Sequence, residues 1–138
     1  MPDKPIIAVT MGDPSGIGPE VILKALADPI VKQVARPLIL GDWGVLQRTQ
    51  VRRHRPKLIC WQPGKRLLPM LDDPKAFVVC SLSALSARDS RPGVAAKAAG
   101  HGTFSYIRVA AKLALSKVAD AIATAPLSKN ILIDAGYN

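Results

Sequence analysis

Short apolar runs bounded by glycine, proline or aspartate alternate along this chain with longer stretches whose apolar positions recur at helical spacing. The run at 5–10 (Pro-Ile-Ile-Ala-Val-Thr) predicts a buried strand, and 36–40, 57–61, 76–80 and 120–125 predict further strands, the last of them buried as well. A helix is expected over 20–27, with Pro19 at its first position, where a missing N–H costs nothing. Another begins at 42–49, with Asp42 suited to cap its amino terminus. Between 61 and 76, Pro63, Gly64, Pro69 and Pro74 predict irregular chain, and 81–93 reads as a loop. A long helix is expected over 94–117, where Phe104, Ile107, Ala110, Ala111 and Ala114 share one face. Gly100 and Gly102 lie inside it, each costing about 1 kcal/mol against alanine. Either the helix breaks there or another helix packs very close. Ser128 starts a last short helix, which Gly136 ends. Strands alternating with helices in this order predict an α/β fold with a mostly parallel sheet flanked by helices.

Composition narrows the class. The 138 residues suffice for one compact domain, and 49% apolar with 21% charged content lies far from the composition of disorder. No apolar run is long enough to cross a bilayer, and the start carries no signal-peptide pattern, so a cytoplasmic location is expected. Cys60 and Cys80 each end a strand-like run at a spacing that matches no zinc or redox motif, which predicts buried, reduced thiols.

The net charge of +9 changes the picture more, because seven of the nineteen basic residues fall between Arg48 and Arg66. A nucleic-acid surface is one reading. Trp61 is the one aromatic residue available there for stacking and no groove-reading motif accompanies it, which favours a solvated basic face instead. A milder functional reading is a positive potential that attracts phosphorylated small molecules.

Two segments could carry chemistry. Thr10-Met-Gly-Asp-Pro-Ser-Gly-Ile-Gly-Pro-Glu20 joins the first strand to the first helix, at the strand end where α/β proteins place ligands. Its glycines allow sharp turns and close backbone approach. It lacks the lysine and hydroxyl of a P-loop and the G-x-G-x-x-G spacing, and Asp13 and Glu20 make it better suited to a hydroxyl or ribose than to an isolated phosphate. A ligand loop and a tight structural turn both remain open from composition. Thr124-Ala-Pro-Leu-Ser-Lys-Asn130 again joins a strand to a helix, with Lys129 in the first turn, a place where anions bind. His54 and His101 have no carboxylate or second histidine at metal-ligand spacing, and both read as exposed or structural.

Met11-Gly-Asp-Pro-Ser-Gly-Ile-Gly-Pro-Glu20 resembles the opening motif of the 4-hydroxythreonine-4-phosphate dehydrogenase family, which acts in pyridoxal phosphate biosynthesis. Leu38-Ile-Leu-Gly-Asp42 is similar to that family's second strand and turn. Pro92-Gly93 with the following helix (Gly100, Tyr106, Ile107) is similar too, as is Asp120-Ala-Ile-Ala-Thr-Ala-Pro-Leu-Ser-Lys129 with Ala135-Gly136 behind it. The resemblance runs in order through the whole chain.

It implies an isocitrate/isopropylmalate dehydrogenase-like fold, incomplete in these residues: 1–138 would be the amino-terminal α/β portion of a longer two-domain enzyme. That enzyme would be a homodimer with its site in the interdomain cleft, and neither nucleic acid nor membrane would be a partner. The implied reaction oxidises the secondary alcohol of 4-phosphohydroxy-L-threonine with NAD(P), and the resulting β-keto acid loses carbon dioxide. A divalent metal (zinc, magnesium or cobalt) would be held by three histidines farther along than Asn138, so no catalytic or metal-binding residue is assigned within the chain, and the isolated 138 residues are expected to be inert. Asp13, Gly16 and Gly18 would lie near substrate or cofactor, and Lys129 would face an anion. One alternative is a paralogue acting on a phosphorylated sugar acid such as D-threonate or D-erythronate 4-phosphate. Another is a non-catalytic basic module that binds nucleic acid or an acidic partner. A sheet lacking later strands would leave an unprotected edge or an exposed apolar face.

Overall fold

The structure, a computed structural model, describes residues 3–53 and 55–138. Five parallel strands form one sheet: β1 (Ile6–Thr10), β2 (Arg36–Gly41), β3 (Leu58–Cys60), β4 (Phe77–Ser81) and β5 (Ala121–Thr124), in the spatial order β3-β4-β2-β1-β5. The helices are α1 (Gly18–Leu26), α2 (Pro29–Val34), α3 (Trp43–Arg48), α4 (Leu67–Leu71), α5 (Lys97–Leu115) and α6 (Lys129–Asp134). β2 is central and buried along nearly its whole length, as a strand covered on both faces must be.

Side-chain alternation in β1 separates the two faces. Ile7 and Val9 point toward α1, where they border a groove with Val21, Ala25 and Ala123. Ile6, Ala8 and Thr10 point the other way, toward α5, which packs on β1, β2 and β5. This placement follows from chain order. The early strands step away from β1 on one side, whereas β5 returns across the sheet to the other side, and right-handed crossovers then put α5 on the opposite face from α1.

Two short helices escaped the sequence reading. In α2, Asp28 caps the first turn by accepting from Ile30 N–H at 3.0 Å, with Pro29 behind it, but no residue is buried and so no apolar stripe announces the helix. α4 is a single turn within the stretch expected to be irregular; burial of Leu71 holds it against the sheet. The long helix begins at Lys97 rather than at 94 and runs unbroken through both glycines. At Gly100 an added Cβ would overlap Ile131 O and lie 2.7 Å from Ala135 Cβ, so the glycine is there because α6 packs directly on the helix backbone.

Two expectations about burial need correction. β5 was expected to be buried, yet all four of its residues are exposed and Ile122 is 45% accessible. Its pairing partner is β1 alone, so among the described residues its outer edge is open. Cys60 and Cys80 are free thiols, but half-buried rather than buried. They sit on the adjacent strands β3 and β4, and burial followed by the neighbouring Cys60 raises the Cys80 thiol above its ordinary range. No helix among the described residues is long and apolar enough to cross a membrane.

Candidate functional site

The strand order reverses at β1, with β2 on one side and β5 on the other, and the crevice at the carboxyl ends of such strands is where open α/β sheets take ligands. The two sequence segments singled out for chemistry leave the sheet side by side at this point. Ala125 N–H donates to Thr10 O at 3.0 Å, and Asp13 N–H donates to Pro126 O at 3.2 Å, so the 11–17 and 125–128 loops are joined backbone to backbone. Gly12 makes the junction possible: its φ is +73°, and a Cβ there would overlap Pro126 O and lie 2.7 Å from Ala125 O. From the opposite side the buried Thr103 hydroxyl of α5 reaches Gly12 O at 3.1 Å, sharing its hydrogen with Ala99 O.

The four predicted site residues divide by environment. Asp13 is half-buried, and its Oδ1 accepts from Ser15 N–H at 2.8 Å, which closes the turn that its carbonyl also closes by accepting from Gly16 N–H at 3.0 Å. Gly16 is exposed on the same turn. Gly18 is buried, and an added Cβ would overlap Met11 O, so this glycine serves the close packing of α1 on the loop. Lys129, the first residue of α6, is exposed. His101 is exposed, and its Nδ1 lies 2.8 Å from the Tyr137 hydroxyl, whose ring stacks on Phe104. His54 lies outside the described residues. Among the described residues no group of three or more His, Cys, Asp or Glu side chains is placed to hold a metal ion.

A polar network that sequence reasoning missed lies beneath this end of the sheet. Asp42 caps α3 as expected, its Oδ1 accepting from Val45 N–H at 2.9 Å. Its other oxygen accepts from Ser83 Oγ at 2.8 Å and from Leu85 N–H at 2.7 Å. A carboxylate only accepts, so Ser83 donates to it, and the Tyr106 hydroxyl, 2.6 Å from Ser83 Oγ, must donate to Ser83. The network ties α3, the 82–93 loop and α5 together. Tyr106 is the signal that was available: a tyrosine on the apolar face of a helix needs a partner for its hydroxyl.

Burial raises the Tyr106 hydroxyl far above its ordinary range, and the charges of Asp42 and Asp13 push it up further. In the unfolded chain this group titrates near pH 10, at about the ordinary tyrosine value. Its contribution to stability is therefore complete below about pH 10 and falls as pH rises beyond it, by about 1.4 kcal/mol per pH unit, because only the unfolded state releases the proton. Urea denaturation between pH 9 and 11 should show a steeper alkaline loss for the native sequence than for Tyr106→Phe. Parallel curves would mean that the hydroxyl is not held protonated.

Above the network, Arg48 of α3 donates through Nη2 to Leu85 O at 2.8 Å and to Ser90 Oγ at 3.0 Å. Gly93 N–H donates to Ser15 O at 2.9 Å, and Ser15 Oγ to Asp89 O at 3.3 Å. The 86–93 loop is thus fastened to both α3 and the glycine-rich loop, and a groove of about 710 Å³ lies between them. The basic stretch is partly structural as well: Arg55 donates to Gln47 O and Thr49 O, each at 2.8 Å, satisfying carbonyls at the end of α3.

Residues 33–138 match the family model described as pyridoxal phosphate biosynthetic protein PdxA. The chain is 38% identical over 136 residues to a 4-hydroxythreonine-4-phosphate dehydrogenase of Trichlorobacter lovleyi, covering 98% of this chain and 40% of that protein. It superposes on the crystal structure of a 4-hydroxythreonine-4-phosphate dehydrogenase from Burkholderia phymatum with a TM-score of 0.85 at 32% identity, over 99% of this chain and 40% of the other. A terephthalate 1,2-cis-dihydrodiol dehydrogenase from Burkholderia xenovorans is also similar, with a TM-score of 0.71 at 29% identity, over 99% of this chain and 38% of that one. The chain therefore spans about two fifths of the length of the relatives it matches. The architecture is part of an isocitrate/isopropylmalate dehydrogenase-like fold. The paired loops, the parallel order of the sheet and this agreement along the chain together place it in the PdxA family of pyridoxal phosphate biosynthetic proteins.

Proposed function

We propose that residues 1–138 form the amino-terminal α/β portion of a two-domain, NAD(P)-dependent dehydrogenase that oxidises 4-phosphohydroxy-L-threonine to a product that loses carbon dioxide, a step in making pyridoxal phosphate. One observation carries the reading: in a chain of this family, the two candidate loops meet at the point where the strand order reverses. The complete enzyme is assigned as a cytoplasmic homodimer, with these residues forming one wall of the cleft.

Within that wall the chain's own groups bind and orient. Asp13 spends Oδ1 on Ser15 N–H, leaving Oδ2 to accept from a hydroxyl of substrate or ribose. Gly16 lets the ligand approach the backbone, and Gly18 sets the path of the loop through its packing on Met11 O. Lys129 supplies a cation for a carboxylate or phosphate. In this reading the divalent metal, and the chemistry it supplies, belong to residues beyond Asn138.

NADH formation in the presence of NAD, a divalent metal and 4-phosphohydroxy-L-threonine tests the proposal. The isolated chain should give none, and the same chain extended to the length of its relatives should turn over. In the extended enzyme Asp13→Asn and Lys129→Ala should each lower kcat/KM by about tenfold or more, the loss expected for a hydrogen bond to a charged group. Unchanged kinetics in both variants would remove these residues from the site. Preferential turnover of D-threonate or D-erythronate 4-phosphate would replace the substrate assignment; the similarity to a dihydrodiol dehydrogenase makes that comparison worth running, since one fold serves different substrates.

A further inference from the structure

We propose that Thr103 is a positioning residue of the candidate site: from α5 its hydroxyl fixes the Gly12–Asp13 peptide, and so the direction in which Asp13 offers its free carboxylate oxygen to a substrate hydroxyl. The substrate half of this role rests on the dehydrogenase reading; the fixed peptide does not. Gly12 O and Asp13 N–H belong to one planar peptide group. Its carbonyl end accepts from Thr103 Oγ1 at 3.1 Å, and its N–H end donates to Pro126 O at 3.2 Å. The group is held from both sides, by a helix and by the neighbouring loop. Gly12 is buried, and among the described residues Thr103 is the one donor to its carbonyl. The other acceptor of the same hydroxyl, Ala99 O at 2.9 Å, lies inside α5 and has the helix's own bond in any case. Removing the hydroxyl therefore strands the Gly12 carbonyl rather than Ala99 O.

This peptide is the joint of the loop. Gly12 stands at φ +73°, and without a Cβ the peptide that follows it turns at little cost unless it is held. Downstream the chain is already stiff: Asp13 Oδ1 accepts from Ser15 N–H and Asp13 O from Gly16 N–H, so 13–16 moves as one turn. The plane of the Gly12–Asp13 peptide then sets where Asp13 Oδ2 points. Thr103 is suited to hold that plane. It is fully buried, and its bond to Ala99 O selects, from the two rotamers open to a helical threonine, the one that also reaches Gly12. The same turn of α5 carries Gly100, where the absence of a side chain lets α6 approach through Ile131 O, and α6 begins with Lys129. One helical turn thereby seats both candidate segments, the Asp13 loop by a hydroxyl and the Lys129 helix by a missing Cβ.

Hydrogen exchange of the Asp13 amide in the chain reads this joint directly. Thr103→Val removes the hydroxyl and keeps the branched shape, and it should speed that exchange about tenfold relative to the β2 amides, the equivalent of one hydrogen bond. Thr103→Ser should keep the native rate. Thr10→Val is the control: the Thr10 hydroxyl is equally buried but has no hydrogen-bond partner among the described residues, so the Asp13 amide should not respond to its loss. In the extended enzyme Thr103→Val should lower kcat/KM about tenfold and Thr103→Ser should restore it. Added to Asp13→Asn, Thr103→Val should cause no further loss, because it acts through that carboxylate. An extended enzyme that leaves 4-phosphohydroxy-L-threonine untouched would remove the substrate assignment, while the exchange rates would still decide whether Thr103 holds the peptide. The proposal is overturned by a native Asp13 rate in Thr103→Val, or by a full further loss when Thr103→Val is added to Asp13→Asn. A loss shared equally by the β2 amides, or a collapsed fold, would make Thr103 an ordinary core residue and overturn it as well.

Discussion

Replacing Gly12 by alanine should cost the chain about 2–5 kcal/mol, from a backbone penalty of about 1–2 kcal/mol at positive φ and an overpacking penalty of about 1–3 kcal/mol. The first part arises because Gly12 sits at φ +73°, where an L side chain crowds its own carbonyl. The second arises because the new Cβ would overlap Pro126 O and come within 2.7 Å of Ala125 O. Both obstacles are backbone atoms of the neighbouring loop, so relief requires the two candidate loops to separate. Gly64 provides the control: its φ is +86°, but no atom lies within 4 Å of where its Cβ would stand. Gly64→Ala should therefore show the backbone penalty alone. Urea midpoints of the two variants measure the difference, which is the free energy of the close approach between the loops. Equal losses would mean that the loops give way freely and that their junction is not a fixed feature of the site. In a domain whose whole stability is about 5–15 kcal/mol, the expected loss for Gly12→Ala is a substantial fraction of the total.

The contrast between these two glycines also shows what the sequence can and cannot carry. Both are flanked by turn residues and read alike as breaks in periodicity. The atoms that distinguish them lie more than a hundred residues away for Gly12 and are missing altogether for Gly64. Several features with a local cause were legible: the strands around Ile39 and Val79, the Asp42 cap, and the Gly136 terminus at φ +97° all follow from neighbours in the chain, whereas the equally local Asp28 cap of α2 was missed. The long helix offered two outcomes at Gly100, and contact with Ile131 decided between them. β5 misled because its composition is that of an interior strand, while its exposure depends on which strand lies beyond it. The candidate loops were visible as motifs, and their contact is set by the order of strands, which no spacing encodes. Ser83 and Leu85 gave no sign at all of belonging to Asp42, since a serine and a backbone N–H in a loop have no pattern of their own.

That hidden network carries the second large effect. Asp42→Ala should cost about 3 kcal/mol or more, because it leaves three donors without their acceptor at about 1–3 kcal/mol each. Asp42 is fully buried, and its loss strands Val45 N–H, Leu85 N–H and the Ser83 hydroxyl, the first of them in a buried bond. Tyr106→Phe removes only the terminal donor of the chain and should cost about 1 kcal/mol, leaving Ser83 bonded to the carboxylate. Asp42→Asn should fall between them, because the carboxamide keeps one acceptor but presents its NH₂ to a group that is itself a donor. Chemical denaturation of the three variants tests this order, and a Tyr106→Phe loss equal to that of Asp42→Ala would show that the hydroxyl, not the carboxylate, is the centre of the network. Hydrogen exchange adds a local reading. The Leu85 amide should lose protection in Asp42→Ala well before the β2 amides do, since Asp42 is what holds Leu85, whereas β2 is paired on both sides. Leu85 O and Ser90 are also the anchors of Arg48, so loosening that loop widens the groove between it and the glycine-rich turn. A buried carboxylate with no contact to ligand would then govern how firmly the ligand end of the sheet is shaped, through three hydrogen bonds and one arginine.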